Sequence, residues 1–175
     1  MKRVCLIATA SGNGKTTVGR ALAARLGVPF YELDALHHGP NWTPATRQEL
    51  LAKVEPIVGS DAWVIDGTYR AKIGDIVPEA ADVVVWLDLP LYVWLPRLVR
   101  RTARRVIRRE ELWSRNRERW RDVLHPSNSV VIYALRNFRR TRRTLAAELA
   151  RFPLVRLRTG ADVERFLEDA RPDET

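Results

Sequence analysis

The chain has one cysteine, one methionine and three histidines among 175 residues. A single thiol, Cys5, excludes an internal disulfide and any zinc site built from several cysteines. It lies in an apolar stretch and reads as a small buried side chain of a strand. Long apolar runs are missing too. The opening MKRVCLIATA holds an apolar run of only about seven residues, at the bottom of the range for a secretory leader, and it leads straight into a glycine loop. No run approaches the roughly 18 residues that a membrane span requires. These absences point to a cytoplasmic protein with no membrane partner. Repeats, low-complexity tracts and linkers are lacking as well, so residues 1–175 read as one domain.

What the chain has is a core and a skewed charge. Hydrophobic residues make up 46%, and the net charge is +9. From Arg97 to Arg121 there are eleven arginines and three glutamates. Arginine in place of lysine suits planar, bidentate recognition of phosphate, on a nucleotide or on a nucleic-acid backbone. A solvated helix face is the plainer reading of the same run.

The pattern alternates strands and helices. Residues 3–8 read as a strand buried on both faces, and the helix after the glycine loop ends at Gly27. VPFYEL is a short strand with Asp34 beside its end, and LHHGPNWTP is a loop. Thr43 followed by Pro44 predicts a helix start, running to about Val58. Strands follow at 62–65 and 83–88, then a helix from Leu91 to about Arg109. Residues 110–126 are polar and irregular. Ser127 or Ser129 starts a further helix, PLVRLR is a last strand, and 161–170 a last helix. The expectation is an α/β fold with three layers, its five-stranded parallel sheet covered on both faces.

TASGNGKTT, residues 9–17, follows the first strand and opens a helix. It matches G-x-x-x-x-G-K-[ST] except at its first position, where Thr9 replaces glycine. Thr9 is β-branched and resists positive φ, so the loop is expected to enter extended there. Ser11, Gly12, Asn13, Gly14, Lys15, Thr16 and Thr17 keep the parts that touch phosphate. The glycines let N–H groups approach an anion at a helix N-terminus, Lys15 reaches the outer phosphates, and Thr16 offers its oxygen to Mg²⁺. ATP and Mg²⁺ are the expected cofactors.

GKTTVGRALAARLGVPFYELD resembles the shikimate, gluconate and adenylate kinase group of P-loop enzymes. The resemblance implies a nucleoside-monophosphate-kinase-like fold with a helical, arginine-rich lid at about 98–128. Asp34 lies nineteen residues after Lys15, where shikimate kinases carry a substrate-binding aspartate; the D-x-D of that family is here Glu32-x-Asp34. IDGTYR resembles the L-D-G-F-P-R of adenylate kinases, which implies magnesium organisation at Asp66 and an acceptor phosphate at Arg70. Thr68 and Tyr69 replace Phe-Pro, so the acceptor pocket is expected to differ. VVVWLDLP followed by LPRLVRR resembles the strand and lid-entry helix, which implies that Arg97 and Arg101 grip ATP. LDALHH, PNW, WVIDGTYR, LDLP and RNFRRTRR are similar to the DNA topology modulation protein family, adenylate-kinase-related proteins, over nearly the whole chain.

Other residues have two readings each. Asp34 takes a proton from an acceptor hydroxyl, or caps a turn. His37 and His38 contact the acceptor within a binding region at about 34–58, or are loop residues; nothing near them is spaced for zinc. Trp42 stacks on a ring or packs against the lid. Asp88 forms a turn or supports the site from behind. Arg97, Arg101, Arg104 and Arg108 share one helix face, with Leu91, Leu95, Leu98 and Thr102 packed beneath. Arg136, Arg139 and Arg140 are further cations for the same site. Together these predict a phosphotransferase moving the γ-phosphoryl of ATP to a small acceptor, with Lys15, Asp34, Arg97 and Arg101 as its catalytic residues. Arg70 favours a nucleotide acceptor, and Asp34 favours a hydroxyl of a nucleoside, sugar or hydroxy acid. The rival is a nucleic-acid-binding ATPase, distinguished by whether the basic segment faces the phosphate loop.

Overall fold

The structure, a computed structural model, describes residues 1–117 and 129–171. Five parallel strands form one sheet: β1 (Arg3–Ala8), β2 (Phe30–Glu32), β3 (Trp63–Asp66), β4 (Val83–Leu87) and β5 (Leu154–Leu157), in the order β2-β3-β1-β4-β5. Central β1 buries alternate side chains on opposite faces, as a strand must. Val4 and Leu6 pack with Val18, Leu22 and Leu26 of α1 (Lys15–Leu26), and α8 (Gly160–Asp169) joins this layer through Phe166. Cys5 and Ile7 face the other way, onto Leu50 and Val54 of α3 (Arg47–Val58) and Leu149 of α7 (Val130–Leu149). The expected layers and sheet are present. Cys5 is wholly buried, and burial pushes its thiol pKa up. No helix among the described residues is long and apolar enough to cross a membrane.

Several boundaries differ from the pattern reading. The helix expected from Pro44 starts at Arg47, because Thr46 and Glu49 cap each other reciprocally: the Thr46 side chain accepts from Glu49 N, and Glu49 accepts from Thr46 N. The residues before it are tied into a loop by Gly39 N donating to Thr43 O and Ala45 N to His37 O. Strand β2 stops at Glu32, and the next residues wind into α2 (Leu33–His37). Between β3 and β4 the chain forms two short helices, α4 (Arg70–Ile73) and α5 (Ile76–Ala80), that have too few turns to show a periodicity.

Helix α6 (Leu91–Ile107) forms as expected, and of the residues expected beneath it Leu98 and Thr102 are buried and Leu95 packs against the same cluster. Trp94, Leu98, Thr102 and Val106 are buried, while Leu91 at the first position is exposed. Trp94 and Leu98 pack on Ala134 and Phe138 of α7, whose start is capped by Ser129 and not Ser127. Of the expected lid at 98–128, residues 118–128 lie outside the described residues.

Candidate functional site

Parallel pairing sets the C-terminal ends of the strands along one edge, where open α/β sheets bind ligands. Leu6 is in register with Asp66, and Glu32 with Asp66 on the other side. The phosphate loop leaves β1 at this edge. Gly12 and Gly14 take φ of 92° and 89°, which favours glycine. Gly14 is the N-cap of α1 and provides no side-chain cap, so the helix presents N–H groups to an anion. Gly12 is required for a second reason. A Cβ there would come within 2.6 Å of Trp94 O and 2.9 Å of Leu98 Cβ on α6.

Thr9, the residue that breaks the motif, enters the loop in strand pairing, with its N–H donated to Leu87 O at 3.2 Å. Its hydroxyl lies between two buried groups. It donates to Asp88 Oδ1 at 2.8 Å and accepts from Trp86 Nε1 at 2.9 Å. Asp88 is more than a turn residue: its wholly buried carboxylate also accepts from Arg142 Nε at 2.9 Å and Arg156 Nε at 3.0 Å. Asn13 fastens the loop from its other side. Its amide donates to Ala10 O at 2.8 Å and accepts from Leu89 N at 3.0 Å, so this side chain is bound to the protein.

Lys15 and Thr16 point to the sheet edge. Lys15 Nζ is 3.3 Å from Asp66 Oδ1, and Thr16 Oγ1 donates to Asp66 Oδ2 at 2.7 Å. Glu32 Oε1 is 3.3 Å from the same hydroxyl. One hydroxyl and two carboxylates therefore converge beside the phosphate loop. This donor set suits Mg²⁺, a cation that takes few protein ligands and completes its shell with phosphate oxygens and water. Among the described residues no group of three or more His, Cys, Asp or Glu is built to hold a metal alone. Glu32 was not singled out as a metal group in the sequence. Its proximity to Thr16 follows from the β2–β3 register, which no local motif reports.

A cleft of about 860 Å³ spans this edge. The loop from Ala10 to Val18, including Ser11 and Thr17, forms one wall. Arg97, Arg100, Arg101, Arg104 and Arg105 of α6 line it, with Glu32, Asp34 and Trp113. The arginines of α6 from Arg97 to Arg105 thus face the phosphate loop. Arg108 does not line the cleft and is exposed beyond the end of α6. Arg136, Arg139 and Arg140 do not line it either, and on α7 it is Arg142 that turns inward, to Asp88.

Asp34 accepts a hydrogen bond of 2.7 Å from the Tyr69 hydroxyl, which also lies 3.5 Å from His38 Nε2. Burial and the neighbouring Asp34 carboxylate push the Tyr69 phenol pKa up, so it stays a donor. His37 is buried against the Tyr69 ring, with centroids 4.4 Å apart. Burial, then Lys72 and His38, hold its pKa below the usual imidazole value. His38, Trp42 and Trp113 form an aromatic group beside this end, so Trp42 packs on the lid arm. Arg70 does not line the cleft. Its guanidinium is bound by Asp75 and Glu148, and Arg151 adds to Asp75. The hydrogen bond to Asp75 raises the Arg70 pKa, and that same bond lowers the Asp75 pKa.

No curated protein matches the chain. The family model described as shikimate kinase matches residues 11–44, from the phosphate loop through Asp34 and the loop that follows α2. Among solved structures, a shikimate kinase from Acinetobacter baumannii in complex with shikimate is similar at 21% identity and a TM-score of 0.58, covering 96% of this chain and 92% of that one. A gluconokinase from Sinorhizobium meliloti 1021 is similar at 21% identity and a TM-score of 0.52, covering 96% and 94%. A deoxyadenosine kinase from M. mycoides with bound dCTP is similar at 10% identity and a TM-score of 0.52, covering 95% and 97%. The chain has the fold of the P-loop small-molecule kinases, with a five-stranded parallel sheet of the nucleoside-monophosphate-kinase type.

Proposed function

We propose that the chain is a phosphotransferase that moves the γ-phosphoryl group of ATP to a hydroxyl of a small acceptor held beside Asp34. One observation carries the reading: a single cleft holds the phosphate loop, the arginine face of α6 and Asp34. Lys15 and the loop N–H groups bind and orient the phosphates. Thr16, Asp66 and Glu32 would hold Mg²⁺, which supplies charge neutralisation on the phosphate oxygens. Arg97 and Arg101 neutralise charge on the transferred group, and Asp34 accepts the proton of the attacking hydroxyl. Catalysis is then positioning and electrostatics, with no covalent intermediate on the protein.

Between the two acceptor classes, the pairing of Arg70 is informative. An acceptor phosphate at Arg70 has to displace two carboxylates, Asp75 and Glu148. This favours a nucleoside or sugar hydroxyl over a nucleoside monophosphate, and the names of the similar structures, shikimate kinase, gluconokinase and deoxyadenosine kinase, support the same class. The likeness to DNA topology modulation proteins rests on sequence motifs alone. An arginine face turned into the cleft favours a nucleotide donor site over a nucleic-acid surface. The test is ADP release from ATP and Mg²⁺ with nucleosides, nucleoside monophosphates, sugars, hydroxy acids and duplex DNA supplied separately. A hydroxyl compound is expected to stimulate release. Stimulation by DNA alone, or by none of them, removes the small-molecule kinase reading.

A further inference from the structure

Asn116 is almost wholly buried, yet it lies on the arm that follows α6, and the partners of its side chain are far away in sequence. Its amide reads the backbone of the loop at 38–45, the acceptor loop of the proposed reaction, at two points. Oδ1 accepts from Trp42 N at 2.9 Å, and Nδ2 donates to Gly39 O at 2.8 Å. A donor and an acceptor on one short planar group are what this pairing needs, and aspartate would set an oxygen against the Gly39 carbonyl. The arm adds two more contacts. Ser114 Oγ donates to His38 O at 2.8 Å, and the Trp113 ring lies 5.8 Å from His38 at an interplanar angle of 22°.

Both partners are bent to meet. Asn41 and Trp42 have φ of 55° and 59°, and Ser114 and Arg115 have 56° and 60°, all in the left-handed region that such residues rarely adopt. Non-glycine residues persist there only when surrounding contacts over-determine them, and the Asn116 amide bonds the loop at one of these strained residues. The joined segment also reaches the chemistry. His38 lies beside the Tyr69 hydroxyl, which holds Asp34, and Trp113 lines the cleft together with the α6 arginines.

We propose that Asn116 is a positioning residue: it clasps the α6 arm to the acceptor loop, so that arginines drawn to bound nucleotide carry the loop, and through His38 and Tyr69 orient Asp34. The proposal rests on the donor and acceptor reading given above. It predicts that nucleotide at the phosphate loop orders a loop that the nucleotide does not touch.

Hydrogen exchange tests this with the full chain and the probe AMP-PNP with Mg²⁺. In the unsubstituted protein, the probe is expected to slow exchange at both 9–17 and 38–43. In Asn116→Ala the probe should still slow exchange at 9–17, while 38–43 exchanges about tenfold faster and gains no protection. Asn116→Asp should behave like the alanine variant, and Asn116→Gln should recover part of the protection. Exchange at β1 serves as the control for folding in each variant. Equal probe-induced protection of 38–43 in the unsubstituted protein and in a folded Asn116 variant overturns the clasp. Absence of protection at 9–17 in the unsubstituted protein overturns the donor site instead, and then unchanged basal exchange of 38–43 in Asn116→Ala overturns the clasp as well.

Discussion

Thr9 replaces a glycine of the phosphate-loop pattern, and its hydroxyl explains why the loop tolerates it. Two buried groups, the Trp86 indole and Oδ1 of the Asp88 carboxylate, are bonded by that one oxygen. Thr9→Val keeps the shape and removes both bonds, so it should cost about 1–3 kcal/mol in urea unfolding; an unchanged midpoint would show that the hydroxyl is dispensable. Lys15→Ala should abolish ATP binding in calorimetry. Asp34→Asn should lower the turnover of the acceptor found by ADP release by roughly 10²–10⁴-fold, with ATP affinity retained. Full turnover in that variant would move the proton acceptor elsewhere. Lys15, Thr16 and Asp66 were legible in the sequence because local motifs mark them. Glu32 beside Thr16 and Asn116 beside Trp42 were not. Both pairs are made by tertiary geometry, one through strand register and the other across 74 residues of chain.

At the scale of elements, the strands were readable because a parallel sheet buried on both faces makes dense apolar runs. Helix α3 was misplaced at its start. Pro44 is a weaker signal there than the Thr46–Glu49 box, which satisfies backbone donors directly. Thr46→Ala should cost about 1 kcal/mol, read as a lower midpoint in thermal unfolding. The short helices α2, α4 and α5 were invisible, since four or five residues carry no period. Helix α6 was found, with its arginine face and with Leu98 and Thr102 on its buried side, but Leu91 at its first position stays exposed and Trp94 takes the place against α7.

For the whole molecule, the buried His37 links stability to pH. Its folded pKa lies below the model-peptide value of 6.5, so the folded state prefers the neutral ring. The stabilisation from that preference is complete above pH 6.5 and is lost as pH falls from there through the folded value. His37→Asn should therefore flatten the fall of unfolding free energy below pH 6.5, measured by denaturant titration at a series of pH values. Asp75 acts in a lower window, because its pKa is depressed from 3.8 and its contribution fades only as pH drops past that. The contact between Gly12 and α6 has a mechanical consequence. With Trp94 and Leu98 pressed on the phosphate loop and backed by α7, the first half of α6 is clamped in place. Arg97, between these two anchors, is held at the cleft by packing that needs no nucleotide, so its placement is built into the fold.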